Sequence, residues 1–160
     1  MTKRAAAPDE VEASGVERLG ETLGFMRLLW VLDHSLHSAS KRMNTELGVT
    51  GPQRLVIRVV GRVPDITAGG VSGLLQVDPS TLTGVFHRLV RKGYLRRERD
   101  KRDGRVAHFR LTPKGARVDR ALAGTVEAAI RKALSGQPRM DVAAAQRVLR
   151  ALGESLQENG

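Results

Sequence analysis

The chain has 160 residues, with 27 Lys and Arg against 17 Asp and Glu, a formal charge of +10 and no cysteine. That length serves one domain or two small ones and buries enough surface to fold without staples. The missing cysteine excludes thiolate-held zinc, iron–sulfur clusters and thiol catalysis, while the cationic excess points to a polyanionic partner, nucleic acid foremost.

Residues 1–14 read as a flexible tail, rich in Ala and charge and without apolar period. Acids follow the first basic residues at once, so no secretory leader is expected, and no stretch has the roughly 18 uncharged apolar residues of a membrane span. The chain is expected to be cytoplasmic and nucleoid-associated. Ser14-Gly15-Val16-Glu17 fits a capping box. From it Leu19, Leu23, Met26, Leu29, Leu32, Leu36, Ala39, Met43 and Leu47 recur at helical spacing, predicting one long helix that ends at Gly48. Its length suits an interface between copies or domains.

A second box, Thr50-Gly51-Pro52-Gln53, opens a shorter helix with Leu55/Val56 and Val59/Val60 one turn apart. Gly61 to Pro64 closes it. Thr67 then caps a short Gly-rich helix whose Val71, Leu74 and Leu75 form the apolar side. Asp78-Pro79 starts the next helix strongly, an acceptor at the cap followed by a ring-fixed φ. Leu82, Val85, Phe86, Leu89 and Val90 trace its buried side. Its other side carries Ser80, Gly84, His87, Arg88 and Arg91, with Thr81 and Thr83 at the margins and no acid.

Two extended runs, Tyr94 to Arg99 and Val106 to Leu111, flank an Asp103-Gly104 turn signal and predict a two-stranded ribbon with a basic tip. Between Arg88 and Arg110 stand ten basic residues and three acids. Asp100 and Asp103, being anionic, are assigned to orienting wing arginines through carboxylate pairs. Thr112-Pro113 predicts one helix running through Val118, Leu122, Val126, Ile130 and Ala133. After a break at 135–138, a last helix carries Val142, Ala145, Val148, Leu149, Leu152 and Leu156.

Short helix, turn, second helix with a polar face, then a basic hairpin is the order of a winged helix-turn-helix, in which one helix enters the major groove. The expected fold is mainly α with a small β-wing at 49–112, and N- and C-terminal dimerisation helices at 15–48 and 113–158. Five aromatics in all are too few for a single-strand stacking platform, so duplex DNA is preferred to RNA.

Val77-Asp78-Pro79-Ser80-Thr81-Leu82-Thr83, Arg88-Leu89-Val90-Arg91-Lys92-Gly93-Tyr94-Leu95, the wing pattern Asp100, Arg102, Asp103, Arg105, and Leu111-Thr112-Pro113-Lys114-Gly115 together resemble the multiple-antibiotic-resistance regulator (MarR) family. The resemblance covers about residues 17–158. It implies a homodimer whose terminal helices interlock and whose two winged lobes read a pseudo-palindrome. Ser80, Thr81, Thr83, Gly84, His87 and Arg88 would then face the major groove and Arg102 or Arg105 the minor groove. Thr67, Arg91, Arg99 and Lys101 would meet phosphates. Leu19, Leu23, Val148, Leu149, Leu152 and Leu156 would form the dimer seam, and Trp30, His34 and Arg58 would line a pocket for a small aromatic or anionic effector.

His34 and His37 have a spacing that could hold a metal, but no further ligand motif accompanies them, and no metal, cofactor or catalytic constellation is expected. The function expected is a non-enzymatic, ligand-responsive transcriptional repressor. The alternative is an architectural protein that coats DNA regardless of sequence.

Overall fold

A computed structural model describes residues 8–158 except 101 and 104, with side chains from residue 19 onward. Helix α1 (Pro8–Leu47) begins six residues before the expected Ser14 start, so part of the supposed tail is helical, and Gly20 interrupts it with φ 69°. The first-helix prediction therefore missed both a longer start and a kink. Beyond the kink the apolar stripe is largely bare: Leu23, Met26 and Leu32 are exposed, and only Met43 is fully buried. Gly48 ends the helix as expected, its amide donating to the Asn44 carbonyl at 3.0 Å.

In α2 (Gly51–Arg62) the Thr50 amide donates to Gln53 Oε1 at 3.2 Å, so the capping box forms. The buried face is Val56, Ile57 and Val60, while Leu55 is half exposed. A two-residue strand β1 (Ile66–Thr67) follows, and Thr67 Oγ1 then accepts the Gly70 amide at 3.0 Å to start α3 (Ala68–Leu75). Val71 is buried there, but Leu74 is 62% exposed, against expectation. Helix α4 (Pro79–Arg91) buries Leu82, Val85, Phe86 and Leu89 as its periodicity requires.

Strands β2 (Leu95–Arg99) and β3 (Ala107–Leu111) form the predicted ribbon. It is not two-stranded. β1 pairs antiparallel with the far edge of β3, giving the order β1-β3-β2 with Phe109 between Ile66 and Arg97. Two residues are too few to show an alternation, which is why the sequence pattern does not reveal β1. The Phe86 and Phe109 rings meet at 4.2 Å between centroids and join α4 to the sheet, the centre of a core that includes Val49, Ile57, Ile66 and Leu95.

The helix expected from Pro113 to Ala133 is two helices, α5 (Pro113–Arg120) and α6 (Val126–Ser135). The chain turns between them with Gly124 at φ 69°, a left-handed conformation glycine adopts without a Cβ penalty. Thr125 restarts it, accepting the Ala128 amide at 3.1 Å. Val118 of α5 sits in the lobe's core, so α5 packs with the winged lobe rather than with the terminal helices. Helix α7 (Arg139–Glu158) has no buried residue. Among the described residues, no helix is long and apolar enough to cross a membrane.

Candidate nucleic-acid interface

Helix α4 owes its place to both ends. Asp78 Oδ1 accepts the Ser80 amide at 2.7 Å, and hydrogen bonds from Ser80 hold the Asp78 carboxyl below its usual range. At the far end the Tyr94 amide donates to the Leu89 carbonyl at 2.9 Å, turning the chain into β2. With its apolar side on the core, α4 presents Ser80, Thr81, Thr83, His87, Arg88 and Arg91 to solvent.

Between α4, the start of α3 and the wing runs an open groove of about 930 Å³. Thr67, Thr83, His87, Arg88, Arg91 and Arg105 line it, so the fold brings together six residues expected to touch DNA. Ser80, Thr81 and Gly84 stand outside that lining, toward the helix start. Arg97 of β2 was not expected and lies in the groove wall. Nothing in its spacing marked it, since every residue of β2 after Leu95 is exposed and Arg99 lines a different recess. Among the described residues, no acidic side chain lines the groove.

The wing's arginines divide. Arg110 is bound by both carboxylate oxygens of Asp65, with Nη2 at 2.5 Å from Oδ2, and this guanidinium holds Asp65 below the usual carboxylate range. Arg96 pairs with Glu98 at 3.1 Å. Among the described residues, Arg88, Arg91, Arg97, Arg99, Arg102 and Arg105 form no ion pair. Arg99 and Arg102 face a separate recess on the wing with Asp65, Glu98 and His108. Lys101 lies outside the described residues.

Asp100 and Asp103, expected to pair with wing guanidinium groups, instead accept backbone amides of the wing. Asp100 Oδ1 accepts the amides of Arg102 and Asp103 at 2.7 and 3.0 Å, and Asp103 Oδ1 accepts that of Arg105 at 2.9 Å. A tight loop points its own N–H groups at a nearby side-chain oxygen, and these local bonds win over a flexible cationic partner. The amides of Asp103 and Arg102, together with His108, pull Asp100 down to about 2.

The expected effector pocket is not assembled within the chain. Trp30 is 78% exposed on α1 and His34 is exposed beside it. Arg58 is elsewhere, its Nη1 at 2.7 Å from Asp119 Oδ1 and its Nε at 3.1 Å from Glu127 Oε2. The hydrogen bond to Asp119 raises its pKa further. Burial pushes the Glu127 carboxyl up, but Arg58 and Arg54 leave it below its usual value. Arg54, 3% exposed, donates to the Val118 and Ala121 carbonyls at the end of α5. Arg54 and Arg58 thus hold α2 against the α5–α6 turn. Beside them lies an apolar cavity of about 570 Å³, lined by Leu55, Val59, Leu74 and Ile130 among others. His37 binds locally, Nδ1 standing 3.1 Å from Asp33 Oδ1.

The closing motif has a structural use. Thr112 Oγ1 caps α5 by accepting the Gly115 amide at 3.1 Å, Lys114 Nζ lies 4.4 Å over the Tyr94 ring, and Gly115 packs directly on the Tyr94 carbonyl.

A core-packed helix with a polar, acid-free outer face, set beside a three-stranded sheet ending in a cationic loop, defines a winged helix-turn-helix protein. Residues 47–106 match the model of the MarR family. Among solved structures it is similar to FabT from Streptococcus pneumoniae in complex with DNA, 27% identical, covering 84% of this chain and 96% of that one with a TM-score of 0.59. The PcaV transcriptional regulator from Streptomyces coelicolor, in complex with its natural ligand, is 25% identical over 83% of this chain and 92% of its own, with a TM-score of 0.66. The transcription regulator MarR from Oenococcus oeni shares the fold at 19% identity, covering 81% and 98% with a TM-score of 0.70. No curated protein matches the sequence.

Proposed function

We propose that the chain is a transcriptional regulator that binds double-stranded DNA sequence-specifically as a homodimer, acting as a repressor that a small molecule releases. The observation that carries this reading is the groove between α4 and the wing, lined by His87, Arg88, Arg91, Arg97 and Arg105 and, among the described residues, by no acid. Small and hydroxylated residues at the start of α4 let its backbone approach base edges, and the unpaired arginines supply phosphate and minor-groove contacts. Thr67, Arg91 and Arg99 are assigned to phosphates, Ser80 to Arg88 to bases, and Arg102 or Arg105 to the minor groove. The likeness to FabT, solved in complex with DNA, supports DNA as the partner.

The exposed stripe of Leu19, Leu23, Val148, Leu149 and Leu156, with half-buried Leu152, supports a partner copy on α1 and α7. A small effector with an apolar body suits the cavity lined by Leu55, Val59, Leu74 and Ile130, whose Arg58 is already paired with Asp119 and Glu127, and ligand-bound PcaV supports a small-molecule partner. Release follows when the effector favours a dimer whose α4 helices no longer match half-sites roughly 34–36 Å apart. Selection of bound duplexes from a random pool, then footprinting, tests the proposal. Protection of one pseudo-palindrome is expected, and uniform coverage would instead show an architectural protein.

A further inference from the structure

His108 sits where the wing joins the body of the lobe. It lies on the central strand β3, opposite Thr67 of β1 and Glu98 of β2. Its Nδ1 is 2.6 Å from the backbone carbonyl oxygen of Asp65, in the turn between α2 and β1, and its Nε2 is 2.9 Å from Asp100 Oδ2. Both partners can only accept. A neutral imidazole has one N–H, so it satisfies one of them and turns a lone pair on the other, whereas the imidazolium has two and satisfies both. The second oxygen of Asp100 already holds the amides of Arg102 and Asp103. One carboxylate thereby joins the wing's tip to the ring, and the ring joins it to the lobe.

We propose that His108 is a positioning residue for the wing, a proton-operated tie whose imidazolium clamps Asp100, with the Arg102 and Asp103 amides, to the Asp65 carbonyl, and whose neutral form releases one end.

The charges around the ring favour the bound proton. The carboxylates of Asp65, Glu98 and Asp100 share its recess with Arg99, Arg102 and Arg110, and Asp65 neutralises Arg110. The Asp65 carbonyl and the Asp100 carboxylate raise the His108 pKa above its ordinary value. A group raised on folding contributes fully below its unfolded pKa and loses that contribution as pH climbs through the folded one. Asp100, held near 2, stays ionised throughout. The tie is therefore intact on the mildly acidic side and slackens toward alkaline pH.

Any effect on DNA rests on the DNA-binding reading above, so the test begins without DNA. In the full ¹⁵N-labelled chain, the His108 ring and the Arg102 and Asp103 amides are followed by NMR from about pH 5.5 to about pH 8.5, the window of histidine titration. The two amides should move with the midpoint of His108, above that of a free imidazole. They should stay flat in H108Q, and D100N should lower the His108 midpoint. Should H108Q not fold, the wild-type and D100N curves decide alone. Amides that do not move, or that follow the same curve in H108Q, overturn the tie. Affinity for a selected duplex should fall severalfold over the same range in the wild type and less in H108Q, which retains the exposed His87 of the groove as an internal control. Equal slopes in both proteins overturn the positioning role. Amides that titrate with His108 in a chain that binds no duplex uphold the tie and overturn the DNA reading.

Discussion

Arg97 and Arg110 occupy adjacent strands and look alike in the sequence, yet one is free and the other is clamped by Asp65. Counting charge registers both equally, because a carboxylate 45 positions away along the chain is invisible to it. Arg97→Ala is expected to weaken duplex binding uniformly across sequences and to lower the salt slope by about 1, since a phosphate contact releases about one counterion. Titration by anisotropy at several salt concentrations checks this, and an unchanged slope would remove Arg97 from the interface. The roles of Asp100 and Asp103 were legible only as far as their place in the wing, because an amide's direction depends on the turn that carries it. Gly115 is a simpler case: a Cβ there would collide with the Tyr94 carbonyl, which is backbone and cannot swing aside. Gly115→Ala should cost at least about 1–3 kcal/mol, read as a lowered denaturation midpoint.

At the scale of elements, α2, α4 and the β2–β3 ribbon were legible because caps and periodicity agree there. Asp78-Pro79 and the stripe from Leu82 to Leu89 point to one structure. The division of α5 from α6 was not, since Val118, Leu122 and Val126 keep a helical spacing straight through the turn. The break is marked locally by Gly124 and Thr125, and Arg54 of α2 secures it by taking the carbonyls of Val118 and Ala121 at the end of α5. Thr125 is buried and restarts the chain as the cap of α6. Thr125→Ala should cost about 1 kcal/mol, lowering Tm by roughly 2–4 °C, measurable by calorimetry. An unchanged Tm would mean that the turn is set by the Arg54 and Arg58 contacts alone.

For the whole molecule, the uncovered sides of α1 and α7 place large apolar side chains in water unless another copy covers them. If the proposed homodimer forms through these helices, Leu149→Glu with Leu152→Glu should shift the sedimentation of the chain from dimer to monomer and sharply weaken binding to a two-fold duplex, while leaving the winged lobe folded. A double variant that still sediments as a dimer would locate the seam elsewhere. That both terminal segments are helical was readable from spacing; the Gly20 kink was not, because a single glycine inside a helical run gives no direction to the bend.

The loop between Arg99 and Ala107 returns into β3, which is paired on both sides at His108 and Phe109. Such a mount tolerates exchange. Fingertips of other lengths and compositions could be grafted between Asp100 and Ala107, retuning which duplexes are preferred, while the Asp100–His108 pair and the Phe86–Phe109 contact beneath them are left alone.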